Sequence, residues 1–227
     1  MTIHAPELDG QVLLAIDTAI GTSVALGAGT EVFTAASDDP RGHAEVIGTL
    51  LARVFETSGV SPTAVTGVVA GIGPGPFTGL RVGIAAAQAF AVGRGLEILP
   101  LHGHEAVALE AIEGRIADGV PAELDDVAQH ALVRVVQDAR RRELFVTEYA
   151  GLDAAGIPVR IAGPHIVTRE AHVELPGELW PAQIPAAALV RLAARRLAAG
   201  RAFESDRAVY LRAPDVKQPG APKRVSV

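Results

Sequence analysis

Gly71–Gly93 read GIGPGPFTGLRVGIAAAQAFAVG, and the fold turns on how this stretch is taken. The apolar run before it, Val65–Ala70, predicts a buried strand. Gly71–Gly75 then form a Gly/Pro loop. Gly73 and Gly75 can take backbone angles closed to other residues, and Pro74 and Pro76 stiffen the turn. Pro76 suits the first turn of a helix, where a missing N–H is no loss. A helix over Phe77–Gly93 follows. It carries Gly79, Gly83, Ala87 and Ala91 at four-residue spacing, a ridge with almost no side-chain bulk, while Leu80, Ile84 and Phe90 are bulkier. Such a ridge lets another element come close. Two readings stay open: a pairing surface for a partner chain, or tight packing on the chain's own sheet.

A Gly-rich loop ahead of a helix also raises phosphate binding. The Walker pattern G-x-x-x-x-G-K-[ST] fails, because no Lys follows Gly79. The dinucleotide spacing G-x-G-x-x-G fails as well, because Thr78 stands where a register starting at Gly73 needs its third Gly. Arg81, in the first turn, reads as a surface salt-bridge former.

Upstream, Val12–Asp17 (VLLAID), the turn TAIGTS and Val24–Leu26 predict a strand–turn–strand unit, with a third strand at Glu31–Ala35. Asp17 closes the first strand beside Thr18, Thr22 and Ser23. These four are the candidate remnant of a nucleotide site, or else they merely satisfy the turn. A helix is expected over His43–Thr57, where Val46, Ile47, Leu50, Leu51, Val54 and Phe55 recur at three and four residues, with Gly59 as its stop. Ser61-Pro62-Thr63 restarts the chain, and Leu96–Leu101 is one more short strand. The order β-β-β-α-(short α)-β-α-β is the one expected of a ribonuclease-H-like, actin-like half.

Downstream, Glu105–Gly119 reads as a helix. His102, His104 and Glu105 have metal-ligand chemistry, but clustered His in a loop more commonly hydrogen-bond, and no metal is assigned. Ala131–Gln137 and Glu143–Tyr149 predict an antiparallel hairpin with a charged tip, Asp138 to Arg142, read as a solvated turn or a contact to RNA or a partner. Ile157–Val167 is a weaker strand. Ala186–Ala199 is an amphipathic helix with Leu189, Leu192, Ala193 and Leu197 on one face and Arg191, Arg195 and Arg196 on another.

The chain has 227 residues, 49% hydrophobic, which suffices for one large domain or two lobes. Its formal net charge of -6 argues against gripping nucleic acid alone. It has no Cys, which excludes disulfides and thiolate metal sites. No signal-peptide pattern opens it and no apolar run is long enough for a membrane span, so a cytoplasmic protein without a membrane partner is expected. The expected organisation is an N-terminal lobe over 1–102, a smaller second lobe over 103–213 including the late helix, and a flexible basic tail over 214–227.

LAIDTAIGTSVAL, the helix from His43, GPGPFTGLRVG with its Ala/Gly helix, the QDARRRELFVTEY hairpin and the late VYLR occur together and in this order. On these motifs, from Val12 to about Pro214, the chain resembles the TsaB (YeaZ) family, which is needed for threonylcarbamoyl-adenosine in transfer RNA. The resemblance implies an α/β, actin-like (ASKHA) ATPase fold of two ribonuclease-H-like lobes, the second reduced. It implies a non-catalytic subunit with no catalytic residue of its own, which pairs with a catalytic TsaD paralogue and works with the ATPase TsaE. ATP or ADP would bind only at a joint interface, tRNA only through the complex, and the lone chain could form a homodimer. Pairing through the two N-terminal helices would use His43, Val46, Ile47, Leu50, Val54, Gly79, Leu80, Gly83, Ile84, Ala87 and Ala91, and Gly83→Leu or Ala87→Glu would then abolish it without unfolding the chain. The family loop commonly reads GPGSFTG. Here Pro76 replaces the Ser, removing a hydroxyl and an N–H. The competing readings are an active ATP-dependent kinase with Asp17 near a metal, and a metallopeptidase. The first lacks a second phosphate loop, the second a credible His pair.

Overall fold

A computed structural model of the protein describes residues 8–39, 42–118 and 132–211. The first sheet has five strands: β1 (Val12–Asp17), β2 (Thr22–Ala28), β3 (Glu31–Ser37), β4 (Gly67–Gly71) and β5 (Ile98–Leu101). Their order is β3-β2-β1-β4-β5. β1 runs antiparallel to β2 and parallel to β4, so it is the central strand. Its side chains alternate across the sheet. Leu14 and Ile16 face α1 (His43–Ser58) and α2 (Phe77–Arg94), meeting Ile47, Leu50, Val54, Ala87 and Ala91. Leu13 and Ala15 face the opposite way. The element order, including a single 3-10 turn at Pro62–Ala64, is the expected β-β-β-α-(short α)-β-α-β. β4 and β5 each start two residues later than the apolar runs suggest; ahead of β5, Leu96 N–H donates to Ala91 O in closing α2.

The second sheet is antiparallel: β6 (Leu132–Arg140), β7 (Glu143–Leu152) and β8 (Pro158–Thr168), in that order. Val133 pairs with Tyr149 and Gln137 with Phe145, which is the expected hairpin. The helix α3 (Gly103–Ala117) lies on this sheet, with Val107, Ala108 and Leu109 in the same buried cluster as Val133, Val135 and Tyr149. The whole is an α/β fold built on two sheets, and among the described residues the second lobe holds one three-stranded sheet and its helix. Among the described residues no helix is long and apolar enough to cross a membrane. Residues 1–7, Ala131 and the basic tail over 214–227 lie outside the described residues.

One expectation of the fold needs correction. The late helix, α4 (Ala186–Ala198), was assigned to the second lobe, but it covers the open face of the first sheet. Leu189, Val190 and Ala193 pack with Leu13, Ala15, Ala25 and Val69. α4 is sandwiched between that sheet and α3, so Arg191 is buried and faces Glu113 of α3 at 3.1 Å, while Leu197 is partly exposed. Of the late VYLR motif, Val209, Tyr210 and Leu211 are described, and they lie in no strand. Residues 204–211 run as a strap along the first lobe, tied by Val209 N–H donating to Ile72 O and Glu204 N–H donating to Pro100 O.

Candidate functional site

A cleft of about 710 Å³ opens between the lobes. Its walls are the β1–β2 turn (Ala19, Ile20, Gly21), the start of α2 (Pro76, Thr78, Gly79), His43 of α1, and Gln137, Asp138 and Arg140 of the second lobe. The four remnant residues sit behind these walls and are all turned inward. Asp17 is fully buried. Its Oδ1 accepts from Ala19 N–H at 2.7 Å, and its Oδ2 has no partner among the described residues. Oδ2 lies against the Gly71 backbone, where any Cβ would overlap it. Burial raises the Asp17 carboxyl to about 6, partly opposed by the Ala19 hydrogen bond. Thr22 Oγ1 is 2.9 Å from His43 Nδ1, and Ser23 Oγ donates to Ile184 O at 2.7 Å.

Thr18 decides how α2 sits. Its hydroxyl donates to Gly79 O at 2.6 Å and accepts from Gly83 N–H at 2.9 Å. An α-helix joins those two groups directly, N–H to the carbonyl four residues back. Thr18 Oγ1 bonds both groups of that rung, and so close an approach is possible because neither position carries a side chain. A Cβ on Gly83 would overlap Thr18 Oγ1, and one on Gly79 would come within 2.6 Å of Thr18 O. The Gly/Ala ridge therefore faces the chain's own first sheet and its turn.

This reverses the expected partner surface. Gly79, Leu80, Gly83, Ala87 and Ala91 of α2 are buried, as are Ile47, Leu50 and Val54 of α1. Val46, Ile84 and His43 are half-buried. The sides these helices turn to solvent are others: Ala44, Gly48, Thr49 and Ala52 on α1, and Arg81, Ala85, Gln88, Ala89 and Val92 on α2. Val92 is 81% exposed. The two helices lie side by side, with Phe55 and Phe90 stacked at 5.9 Å. At the end of this face Arg81 lies 3.7 Å above the Phe77 ring, and its Nε donates to Tyr210 Oη at 3.2 Å. Phe77 and Tyr210 are themselves 4.5 Å apart. Arg81 thus clasps the strap to α2, an aromatic contact where a salt bridge was expected. No local sequence signal links positions 129 residues apart.

His102, His104 and Glu105 are engaged separately. Gln137 Nε2 donates to Ala19 O at 3.3 Å, which leaves Gln137 Oε1 as acceptor for His104 Nε2–H at 2.9 Å and makes His104 Nδ1 the acceptor for the Thr147 hydroxyl at 2.8 Å. His104 is thereby a neutral link from α3 through β6 to the β1–β2 turn, and burial lowers its pKa to about 4. His102 is also lowered to about 4, first by burial and then by Arg160. Glu105 accepts from Arg196 of α4 at 2.7 and 2.9 Å. Among the described residues no group of three or more metal-ligating side chains converges.

At the hairpin tip Arg140 pairs with Glu143, leaving Arg141-Arg142 as a two-residue loop. Arg140, Arg141 and Arg142 have φ of 64°, 54° and 63°. Positive φ at both loop positions is the type I′ form, which favours Asn-Gly. Each side chain held there costs roughly 1–2 kcal/mol relative to an ordinary conformation. Arg140 reaches the cleft wall, and Arg169 at the end of β8 lies alongside, its N–H donating to Arg142 O at 2.8 Å.

Residues 37–155 match the family described as TsaD: tRNA N6-adenosine threonylcarbamoyltransferase. An uncharacterized protein of Mycobacterium leprae is 34% identical over 161 residues, covering 68% of this chain and 38% of that protein. A tRNA threonylcarbamoyladenosine biosynthesis protein TsaB of Haemophilus influenzae is 36% identical over 117 residues, covering 50% of this chain and 48% of the relative. The chain thus spans about half or less of the length of these curated relatives. Among solved structures, YeaZ from Pseudomonas aeruginosa superposes with a TM-score of 0.72 at 23% identity, over 88% of this chain and 100% of that one, a likeness of fold.

Proposed function

This chain belongs to the TsaD family and is TsaB/YeaZ-like within it, and from that premise we propose that it is a non-catalytic subunit supporting formation of N6-threonylcarbamoyladenosine at position 37 of tRNA. The observation that carries this reading is the turn after β1. Asp17, Thr18, Thr22 and Ser23 are bound inward, to Ala19, to Gly79 and Gly83, to His43 and to Ile184. A phosphate-handling turn needs those groups aimed at the cleft. In this reading the chemistry belongs to a TsaD-like paralogue, with a TsaE-like ATPase in the same assembly. Nucleotide would bind only at a joint interface, and the lone chain could self-pair.

The docking face in this proposal is the outward side of α1 and α2, centred on Ala44, Gly48, Ala52, Ala85, Ala89 and Val92. Small side chains on two adjacent helices let partner helices approach closely. Glu at Ala52 or Ala89 would bring a charge into that contact while touching no core residue. Gel filtration with the paralogue is the test: wild type co-elutes, Ala52→Glu and Ala89→Glu do not, and all three keep the same circular dichroism. Co-elution of both variants at wild-type affinity refutes the docking face. Separately, ATP turnover by the lone chain should match a buffer control. Turnover abolished by Asp17→Ala would establish an active kinase or ATPase instead.

A further inference from the structure

We propose that the arginine tip of the β6–β7 hairpin is a contact for the phosphate backbone of RNA, a reading that rests on the proposed role in tRNA modification and names where this chain would touch the nucleic acid. Four arginines stand at this corner, Arg140, Arg141 and Arg142 in the turn and Arg169 just after β8, whose backbone N–H donates to Arg142 O, and all four residues are exposed. The nearby carboxylates are Asp138, Glu143 and Glu170. Asp138 faces Arg140 at 3.8 Å and Arg169 at 3.2 Å. These pairs are about half exposed, so they exchange readily for phosphate oxygens. The Arg142 guanidinium has no ion-pair partner among the described residues.

The backbone makes the case for function. Asn-Gly would close this two-residue loop with less strain than Arg-Arg, so the turn holds its arginines against local preference. Strain kept at a rigid tip is a mark of binding sites. A guanidinium fork matches phosphate oxygens, which favours RNA over a neutral partner. The tip offers no exposed aromatic ring for a base, since Phe145 is buried, so the contact reads backbone and not sequence.

The test is a double variant, Arg141→Asn with Arg142→Gly, and its opposite, Asp138→Asn. Each is assembled with the TsaD-like paralogue and titrated with unmodified tRNA transcript over a range of salt. The double variant relieves the turn, so its Tm should rise by about 2–4 °C or more. Its tRNA affinity should fall about tenfold, and the log–log salt slope should shrink by about 1–2. Asp138→Asn should tighten binding. A more stable protein that binds tRNA less well supports the proposal, because unfolding cannot explain the loss. Unchanged tRNA affinity in the double variant overturns it, as does a wild-type complex that binds no tRNA. Loss of the paralogue by the double variant overturns it too, making the tip a protein contact. Failure of wild type to join the paralogue instead overturns the subunit reading, and this proposal with it.

Discussion

At the scale of residues, the turn after β1 has exchanged chemistry for structure. Thr18 Oγ1 closes the rung between Gly79 O and Gly83 N–H. Thr18→Val would remove two buried hydrogen bonds, each contributing about 0.5–1.5 kcal/mol net. Thr18→Ser keeps the hydroxyl and should recover most of the loss, as urea midpoints would reveal. The buried ionisable groups set the acid response. Asp17 has a folded pKa of about 6 against 3.8, so the fold prefers it protonated. Its charge is a burden that is absent below about pH 4 and complete above about pH 6. His102 and His104 sit at about 4 against 6.5, so the fold prefers them neutral. Their stability is complete above about pH 6.5 and is lost as pH falls through 4. The two responses oppose each other between pH 4 and 6. Asp17→Asn removes the relief that acid gives, so its stability should fall more steeply than wild type from pH 6 to pH 4. An identical pH profile for the two proteins would show that Asp17 is not the group titrating there.

At the scale of elements, legibility followed how local the cause was. The strands of the first lobe and α1 were readable because alternation and three-to-four spacing depend on near neighbours. The inward face of α1, Ile47, Leu50 and Val54, is the periodic face. α2 was located but its orientation was not, because a helix of Gly and Ala with Leu80, Ile84 and Phe90 spread around it has little apolar asymmetry to read. What orients it is Thr18, 61 and 65 residues away from its two partners. Gly83→Leu therefore should not give a folded, unpaired subunit: it should unfold or aggregate, checked by circular dichroism. The position of α4 was unreadable for a related reason, since its apolar face is equally suited to either sheet. Its buried Arg191 and half-buried Arg195 and Arg196 become intelligible only beside α3. Removing one member of the Arg196–Glu105 pair leaves a buried charge, at a cost of about 3–5 kcal/mol. Arg196→Met alone should lower the urea midpoint sharply, and adding Glu105→Leu should recover part of it. A double variant weaker than the sum of two single losses would show that packing, not charge, holds this seam.

At the scale of the whole molecule, the division into lobes is a description of sheets and not of folding units. One buried cluster runs from Leu13, Ala15 and Val69 of the first sheet through Leu189 and Ala193 of α4 and Val107 of α3 to Val133 and Tyr149 of the second. Ser23 to Ile184 and Gln137 to Ala19 tie the same parts together. A fragment ending at residue 102 would lack α4 and bare the Leu13 face of the central strand. Burying a Leu or Val side chain contributes roughly 1.5–3 kcal/mol, so losing cover for several of them rivals the roughly 5–15 kcal/mol that holds a domain. That fragment should show no cooperative thermal transition by circular dichroism. The intact chain should then unfold in one step. Trp180 is the only Trp, and it lies beside the second sheet, next to Leu179, which bridges to Val135, and edge-on to His172 at 6.1 Å. Its fluorescence therefore reports the second lobe, while far-UV circular dichroism is weighted by all four described helices, two of them, α1 and α2, packed on the first sheet alone. Coincident urea midpoints from the two probes are expected. Midpoints that separate, with the tryptophan signal lost first, would mean that α4 stays on the first sheet after the second lobe has opened, and the shared core would be two cores in contact.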